Sequence, residues 1–288
     1  MPASPPLLPL SVIVARLRAA GCVFAEDEAR LLISAARTPD DLAAMVDRRV
    51  AGLPLEHVLG WAEFCGLRIA VDPGVFVPRH RTEFLVSQAV ALARPRAVVV
   101  DLCCGSGAVG AALVAHLDQV ELYATDIDPI AVRCARRNLA DGGQVYEGDL
   151  YEPLPTRLRG RVDILAANAP YVPTGAMRLL PPEARLHEAR VALDGGADGL
   201  DVQRRVAAAA PRWLSPGGHL LVETSERQAP HTVEAFARNG LTPRVASSDE
   251  LDATVVIGTR PAARRSPRPV RWPARGRRRS RRPGSRQC

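Results

Sequence analysis

The 288-residue chain is 47% apolar and 4% aromatic, enough to bury a sizeable core made mostly of Ala, Val and Leu. All 38 basic residues are arginine, and the lack of lysine excludes a Walker-type phosphate loop, lysine Schiff-base chemistry and a Tyr/Lys dehydrogenase pair. The formal charge of +7 hides an asymmetry: Arg260–Cys288 holds 12 arginines and no acid, which leaves −5 for the rest.

Residues 1–9 are proline-rich, and a helical pattern runs from Leu10 to Val50. Val12, Ile13 and Leu17, then Ala29, Leu32, Ile33 and Ala36, recur every three or four residues. Gly21 punctuates the first helix, and Thr38-Pro39-Asp40-Asp41 reads as the N-cap of a third, whose apolar face is Leu42, Met45, Val46 and Val50. Alternation in Leu67, Ile69, Val71 and then Val75, Val77 around Asp72-Pro73-Gly74 predicts a β-hairpin linking two domains. Pro78-Arg79-His80-Arg81-Thr82-Glu83 then opens another helix.

From Ala97 the pattern alternates strand and helix. Strands are expected at 98–101, 120–125, 144–147, 162–167, 219–223, 241–247 and 253–259, with helices at 108–117, 129–140, 200–214 and 230–239. Residues 172–198 read as a long loop. Such alternation implies a parallel sheet with helices on both faces, joined by right-handed crossovers. The tail from Pro261 is Arg, Pro, Ser and Gly with little to bury, and is expected to be disordered.

The six cysteines (22, 65, 103, 104, 134, 288) show no Cys-x-x-Cys spacing and no histidine pattern, so no metal site or disulfide framework is expected. Cys103 and Cys104 read as small buried hydrophobes. With no basic segment before an apolar core and no run of membrane-spanning length, the chain reads as soluble and cytoplasmic.

Two stretches carry chemistry. Gly105-x-Gly107-x-x-Gly110 follows a strand and opens a helix, so its backbone can approach a ligand and its N–H groups can face negative charge. Asp126 ends the next strand, where a carboxylate can hold the two hydroxyls of a ribose. A dinucleotide and S-adenosylmethionine both fit; Asp101, four residues before Gly105, favours the second. The other stretch is Asn168-Ala169-Pro170-Tyr171, which ends a buried strand because Pro170 and Pro173 cannot donate to a ladder. The Asn168 side-chain oxygen and the Ala169 carbonyl form a pair of acceptors for one –NH2 group, and Tyr171 offers a flat face to a planar substrate. This suits methylation of an amide or an aromatic amine.

At these residues the chain resembles the HemK/PrmC-type protein-(glutamine-N5) methyltransferases, which modify the GGQ glutamine of peptide chain release factors. The resemblance runs over roughly residues 12–260: GLPLEHVLGWAEFCGLRIAVDPGVFVPRHRTE, DLCCGSGAVG, ATDIDPIAV, GDLYEPLP, NAPY and LPPEARLHEARVALDGGADGLD. It implies that Asn168 and Tyr171 grip the amide, with Ala169 and Pro170 completing the turn. It also implies that Cys103, Cys104, Gly105, Ser106, Gly107 and Asp126 hold the methionine and ribose parts of S-adenosylmethionine. Asp149 and Leu150 would border the adenine. The expected fold is a class I S-adenosylmethionine-dependent methyltransferase: α/β, Rossmann-like, with a mostly parallel seven-stranded sheet and a small N-terminal helical domain.

The division implied is 1–60 helical and substrate-recognising, 61–77 a hairpin linker, 78–260 the methyltransferase domain and 261–288 a tail. That tail could touch RNA or the ribosome weakly; the main partner is a release factor or another protein with a glutamine-bearing loop. Departures mark a divergent paralogue: Ala169 for the first proline of NPPY, PRHRTE for PRPETE, HEAR for HEPR, and Cys103-Cys104 for Gly-Thr. A DNA adenine-N6 methyltransferase could use the same grip but normally needs a large target-recognition region. An NAD-dependent oxidoreductase leaves NAPY unused, and a non-catalytic nucleic-acid binder explains only the tail.

Overall fold

Helices α1 (Leu10–Ala19), α2 (Ala25–Ala35) and α3 (Pro39–Val50) form where the apolar periodicity places them, and a short α4 (Leu55–Leu59) follows. In this computed structural model residues 8–262 are described; residues 1–7 and most of the basic tail, 263–288, lie outside them. Thr38 caps α3 by accepting from the Asp41 N–H at 3.1 Å, and Pro39 takes the first helical position, where a missing N–H costs nothing. The apolar stripes meet in a core of Ile13, Leu17, Leu32, Leu42 and Val46. Inside it Arg49 makes a two-pronged pair with Glu28.

The hairpin is real, but one turn earlier than expected. Strand β1 (Trp61–Phe64) pairs antiparallel with β2 (Leu67–Ala70) across Cys65-Gly66. Both turn residues have positive φ, 50° and 72°, the backbone of a type I′ turn whose twist matches its strands. Asp72-Pro73-Gly74 does form a turn, closed by the Val75 N–H donating to the Asp72 carbonyl at 3.1 Å, but it lies outside the sheet, and Gly74 bridges to Glu188.

The main sheet has the order β5-β4-β3-β6-β7-β9-β8, formed by β3 (Val98–Leu102), β4 (Glu121–Asp126), β5 (Gly143–Glu147), β6 (Val162–Ala167), β7 (Leu214–Thr224), β8 (Thr242–Ser248) and β9 (Ala253–Thr259). Six strands point the same way; β9 alone runs against them, antiparallel to both of its neighbours, β7 and β8. Helices α5 (Glu83–Leu92), α6 (Ala108–His116) and α7 (Pro129–Asn138) pack on one face, and α9 (Asp201–Trp213) and α10 (Ala229–Arg238) on the other. Strand β7 begins at Leu214, so Ser215-Pro216-Gly217-Gly218 lies inside it as an irregular stretch, with a register shift against Val162/Ile164.

The expected loop 172–198 also needs correction. It contains 3₁₀ turns at Thr174–Leu179 and Arg190–Ala192 and a short helix, α8 (Pro182–His187). Each of these is too short for periodicity to reveal.

Strand order reverses between β3 and β6, neighbours whose outgoing loops go opposite ways. Leu102 and Ala167 pair in register there, so the glycine loop and NAPY leave side by side at the carboxyl edge. Ligands of open α/β sheets bind at this switch point.

Candidate active site

A cavity of about 610 Å³ opens over that switch point. Of the residues singled out from the sequence, Asp101, Cys103, Cys104, Gly105, Ser106, Asp126, Asp149, Leu150 and Asn168-Ala169-Pro170-Tyr171 all line it. Gly107 does not. It is the left-handed N-cap of α6, and an added Cβ would come within 3.2 Å of Ala135, so its smallness serves helix packing.

The glycine loop is held by carboxylates. Asp101 is almost fully buried and accepts from the Gly110 N–H at 3.0 Å; burial lifts its carboxyl to about 7, against the lowering effect of that bond. Asp126 accepts from the Gly105 N–H at 2.8 Å and the Asp128 N–H at 2.9 Å. Burial raises its pKa, opposed by those two N–H groups. Each Asp126 oxygen takes one of these N–H groups and so has acceptor capacity left, and the residue lines the cavity, a pattern that matches a vicinal diol. A Cβ at Gly105 would meet nothing within 4 Å, so the space above the loop is open. The Thr125 hydroxyl, also on the cavity wall, is buried without a partner. Diol acceptors, open space above a bare backbone and an unpaired hydroxyl fit a nucleoside cofactor. Asp149 pairs with Arg205, which also reaches the wall. Burial pushes the Cys103 and Cys104 thiols upward, so both stay protonated and unreactive.

Asn168 is oriented from behind. Its Nδ2 donates to the Thr82 hydroxyl at 3.3 Å, which leaves Oδ1 as the free acceptor. No hydrogen bond among the described residues reaches the Ala169 carbonyl. Tyr171 donates weakly to Glu223 Oε1 at 3.5 Å; burial first, then Glu223, pushes its phenol up to about 12, so it remains protonated.

Several supports of this site were missed from the sequence. Thr82, Glu223 and Arg79 reach it from distant segments. Glu188, with a side chain 1% exposed, accepts from the Val77 N–H and from Arg79, clamping the 172–198 segment onto PRHRTE. The glycines of Asp194-Gly195-Gly196-Ala197-Asp198-Gly199 back the NAPY turn. A Cβ on Gly195 would stand 2.6 Å from the Pro170 carbonyl oxygen, and one on Gly199 2.3 Å from that of Tyr171. Gln228 Nε2 donates to the Tyr171 carbonyl at 3.0 Å. A run of glycines beside a stiff turn was the available signal; which turn it backs depends on the fold.

No helix among the described residues is long and apolar enough to cross a membrane. The family model described as "Methyltransferase small domain" matches residues 66–198. A release factor glutamine methyltransferase of Geobacter sulfurreducens is 40% identical over 228 residues, covering 77% of this chain and 79% of that protein. Its counterpart in Mycolicibacterium smegmatis is 42% identical over 220 residues, covering 74% and 78%. Among solved structures, a methyltransferase from Pyrococcus furiosus shares the fold, with a TM-score of 0.53 at 15% identity over 76% of this chain and 98% of that one.

Proposed function

The chain belongs to the release factor glutamine methyltransferase family, and from that membership we propose that it methylates the side-chain amide nitrogen of a glutamine in a peptide chain release factor, using S-adenosylmethionine. The GGQ glutamine is the target that the resemblance in its motifs implies. The observation that carries the reading is the orientation of Asn168: with its –NH2 committed to Thr82, its oxygen is left to accept beside the unbonded Ala169 carbonyl.

S-adenosylmethionine, when bound, supplies an electrophilic methyl on a sulfonium. Asp126 would hold the ribose hydroxyls, the 103–106 backbone the methionine part, and Asp149 with Leu150 the adenine edge. The remaining chemistry belongs to the protein. An amide nitrogen is a poor nucleophile because its lone pair is delocalised into the carbonyl. Asn168 Oδ1 and the Ala169 oxygen accept its two N–H bonds, which draws the nitrogen out of plane and offsets the positive charge that develops on it. Tyr171, kept neutral, offers its ring to the flat –CONH2 group. Once methylated, the nitrogen is acidic enough to lose its extra proton to water, so no strong base has to act beforehand.

A release-factor substrate places the enzyme in the cytoplasm, where translation terminates. Weak attraction of the basic tail to RNA or the ribosome would add a salt-sensitive contribution to that encounter. The test is mass spectrometry of release factors incubated with enzyme and cofactor. Asn168→Ala should cost about 2–4 kcal/mol in kcat/KM with cofactor affinity unchanged. Methylation of duplex-DNA adenine with every release factor left unmodified would replace this reading by the adenine one.

A further inference from the structure

One buried acid stands behind the amide grip without belonging to the cavity wall. Glu223, near the end of β7, is 2% exposed. Its neighbour Val222 pairs with Ala167, the residue before Asn168, so the sheet itself brings Glu223 beside the NAPY turn. Its Oε1 lies 3.5 Å from the Tyr171 hydroxyl and 4.0 Å from Arg81 Nε, while its Oε2 is buried with no hydrogen-bond partner. Thr82, 3% exposed, accepts from Asn168 and follows Arg81 in the chain, so its hydroxyl stands on the side of the same carboxylate whose Oε2 is left open as an acceptor.

A hydroxyl has one proton, and what it does with that proton decides what it can offer elsewhere. An ionised carboxylate only accepts, so a hydroxyl that donates to it has only lone pairs left for its other neighbour. We propose that Glu223 is a positioning residue for the substrate glutamine: its ionised carboxylate takes the Thr82 hydroxyl proton, so Thr82 can only accept from Asn168 Nδ2, and Asn168 Oδ1 is held toward the substrate. This rests on reading Asn168 as the amide grip.

The relay has a direction, and protonation reverses it. A neutral Glu223 donates to Thr82, which then donates to Asn168. The Asn168 amide turns round and presents –NH2 to the substrate –NH2, where two donors repel. The groups facing Glu223 are Arg81 and Thr82 from the segment before α5 and Tyr171 from the loop after β6. Gln203 of α9 donates to its backbone carbonyl at 3.4 Å, and β9 places Val255 opposite it. Burial raises the Glu223 carboxyl; Thr82, Arg81 and Tyr171 pull it down again, and burial prevails. Turnover is therefore present above the Glu223 pKa and lost as pH falls through it.

Glu223→Gln copies the neutral acid without changing its shape. Arg81 only donates, so it keeps the new amide oxygen on its own side and turns the –NH2 toward Thr82. With saturating cofactor and a release factor as substrate, kcat of the full chain should fall roughly ten- to a hundredfold. The acid limb of its pH profile should disappear, and the Kd for S-adenosylmethionine should stay within about twofold, which doubles as the folding control. In a Thr82→Val background the same substitution should change kcat by less than about twofold, since the relay is already cut.

An activity-free readout separates this idea from the choice of substrate. The side-chain amide resonances of Asn168, assigned by their loss in Asn168→Ala, should shift with pH in the wild type and not in Glu223→Gln. If they titrate while no release factor is methylated, the relay stands and the functional reading fails. Wild-type kcat in Glu223→Gln, an equal loss in both backgrounds, or an Asn168 amide indifferent to Glu223 each overturns the relay.

Discussion

Arg49 of α3 reaches Glu183 of α8 at a nitrogen–oxygen distance of 2.6 Å while its other nitrogens hold the buried Glu28 carboxylate. One guanidinium thus ties the N-terminal helices to the segment that roofs the cavity, and a fourth bond, to the Leu53 carbonyl as third partner, fixes its plane. Arg suits this because its fork can serve three acceptors at once.

Arg49→Met should therefore destabilise the protein by about 3–5 kcal/mol, mainly because it leaves Glu28 buried and unpaired. Replacing Glu28 by Met as well should recover much of that loss. Glu183→Gln should cost less than about 1 kcal/mol, because that side chain is about half exposed to solvent and its amide oxygen can still accept from Arg49. Urea unfolding of the three variants checks the ordering; equal losses for Arg49→Met and Glu183→Gln would place the energy in the cross-link instead of the Glu28 pair.

Asp126→Ala removes both acceptors offered to a ribose, and S-adenosylmethionine binding should weaken by about 1.5–3 kcal/mol in calorimetry. The Gly105 and Asp128 N–H groups lose their partner in the same variant, so the loop should also loosen. An unchanged dissociation constant would remove Asp126 from the cofactor site.

Asp101 gives stability a pH dependence opposite to that of most carboxylates. Its folded pKa, about 7, lies above the unfolded value near 4, so the native state binds more protons between those limits. Its contribution to stability is therefore present below about pH 4 and lost as pH rises to about 7, where a buried charge must be carried. Asp101→Asn keeps an acceptor for the Gly110 N–H and avoids that charge. The ligand-free variant should gain on the order of 2 kcal/mol, or roughly 4–8 °C in Tm, at pH 8 and almost nothing at pH 4. The same gain at both pH values would show that the carboxyl is not titrating in the fold.

Gly195→Ala should damage turnover more than its size suggests. The new methyl would press on the Pro170 carbonyl and push the grip out of line, lowering kcat tenfold or more and stability by about 1–3 kcal/mol. Gly175, with nothing within 4 Å of an added Cβ, is the control, and Gly175→Ala should behave as wild type. Full activity in Gly195→Ala would mean that the NAPY turn is held by its own prolines.

Much of the fold was legible because its signals are local. Thr38 precedes a proline and two acids, the strands from Val98 to Ala167 are unbroken apolar runs, and Pro170 stops one of them. Cys65-Gly66 escaped because cysteine is not a usual residue for a left-handed turn position, whereas Asp-Pro-Gly a few residues on is a strong turn signal. The cofactor half of the site could be read because the loop, the helix and Asp126 fall within about one strand–helix–strand unit. The back of the amide grip could not. Thr82 and Asn168 are 86 residues apart, and Tyr171 and Glu223 are 52 apart. Nothing in a lone Thr or a lone Glu announces such a meeting, which exists only once β6 and β7 lie side by side.

The pairing of Leu102 with Ala167 makes the sheet a ruler. The two loops that would carry methyl donor and acceptor start one strand spacing apart, about 4.8 Å, a length set by backbone hydrogen bonds that no side chain can stretch. Sequence drift in the loops can therefore change what is bound without changing how far apart the two partners begin. Ala169 in place of the usual proline is drift of this kind, since it alters the stiffness of one arm and leaves its anchorage untouched. By the same logic, a core substitution that slipped β6 by one residue against β3 would leave a folded protein with its two halves out of phase. Selection for activity should then weigh on Val100, Leu102 and Leu165, apolar residues that never touch substrate.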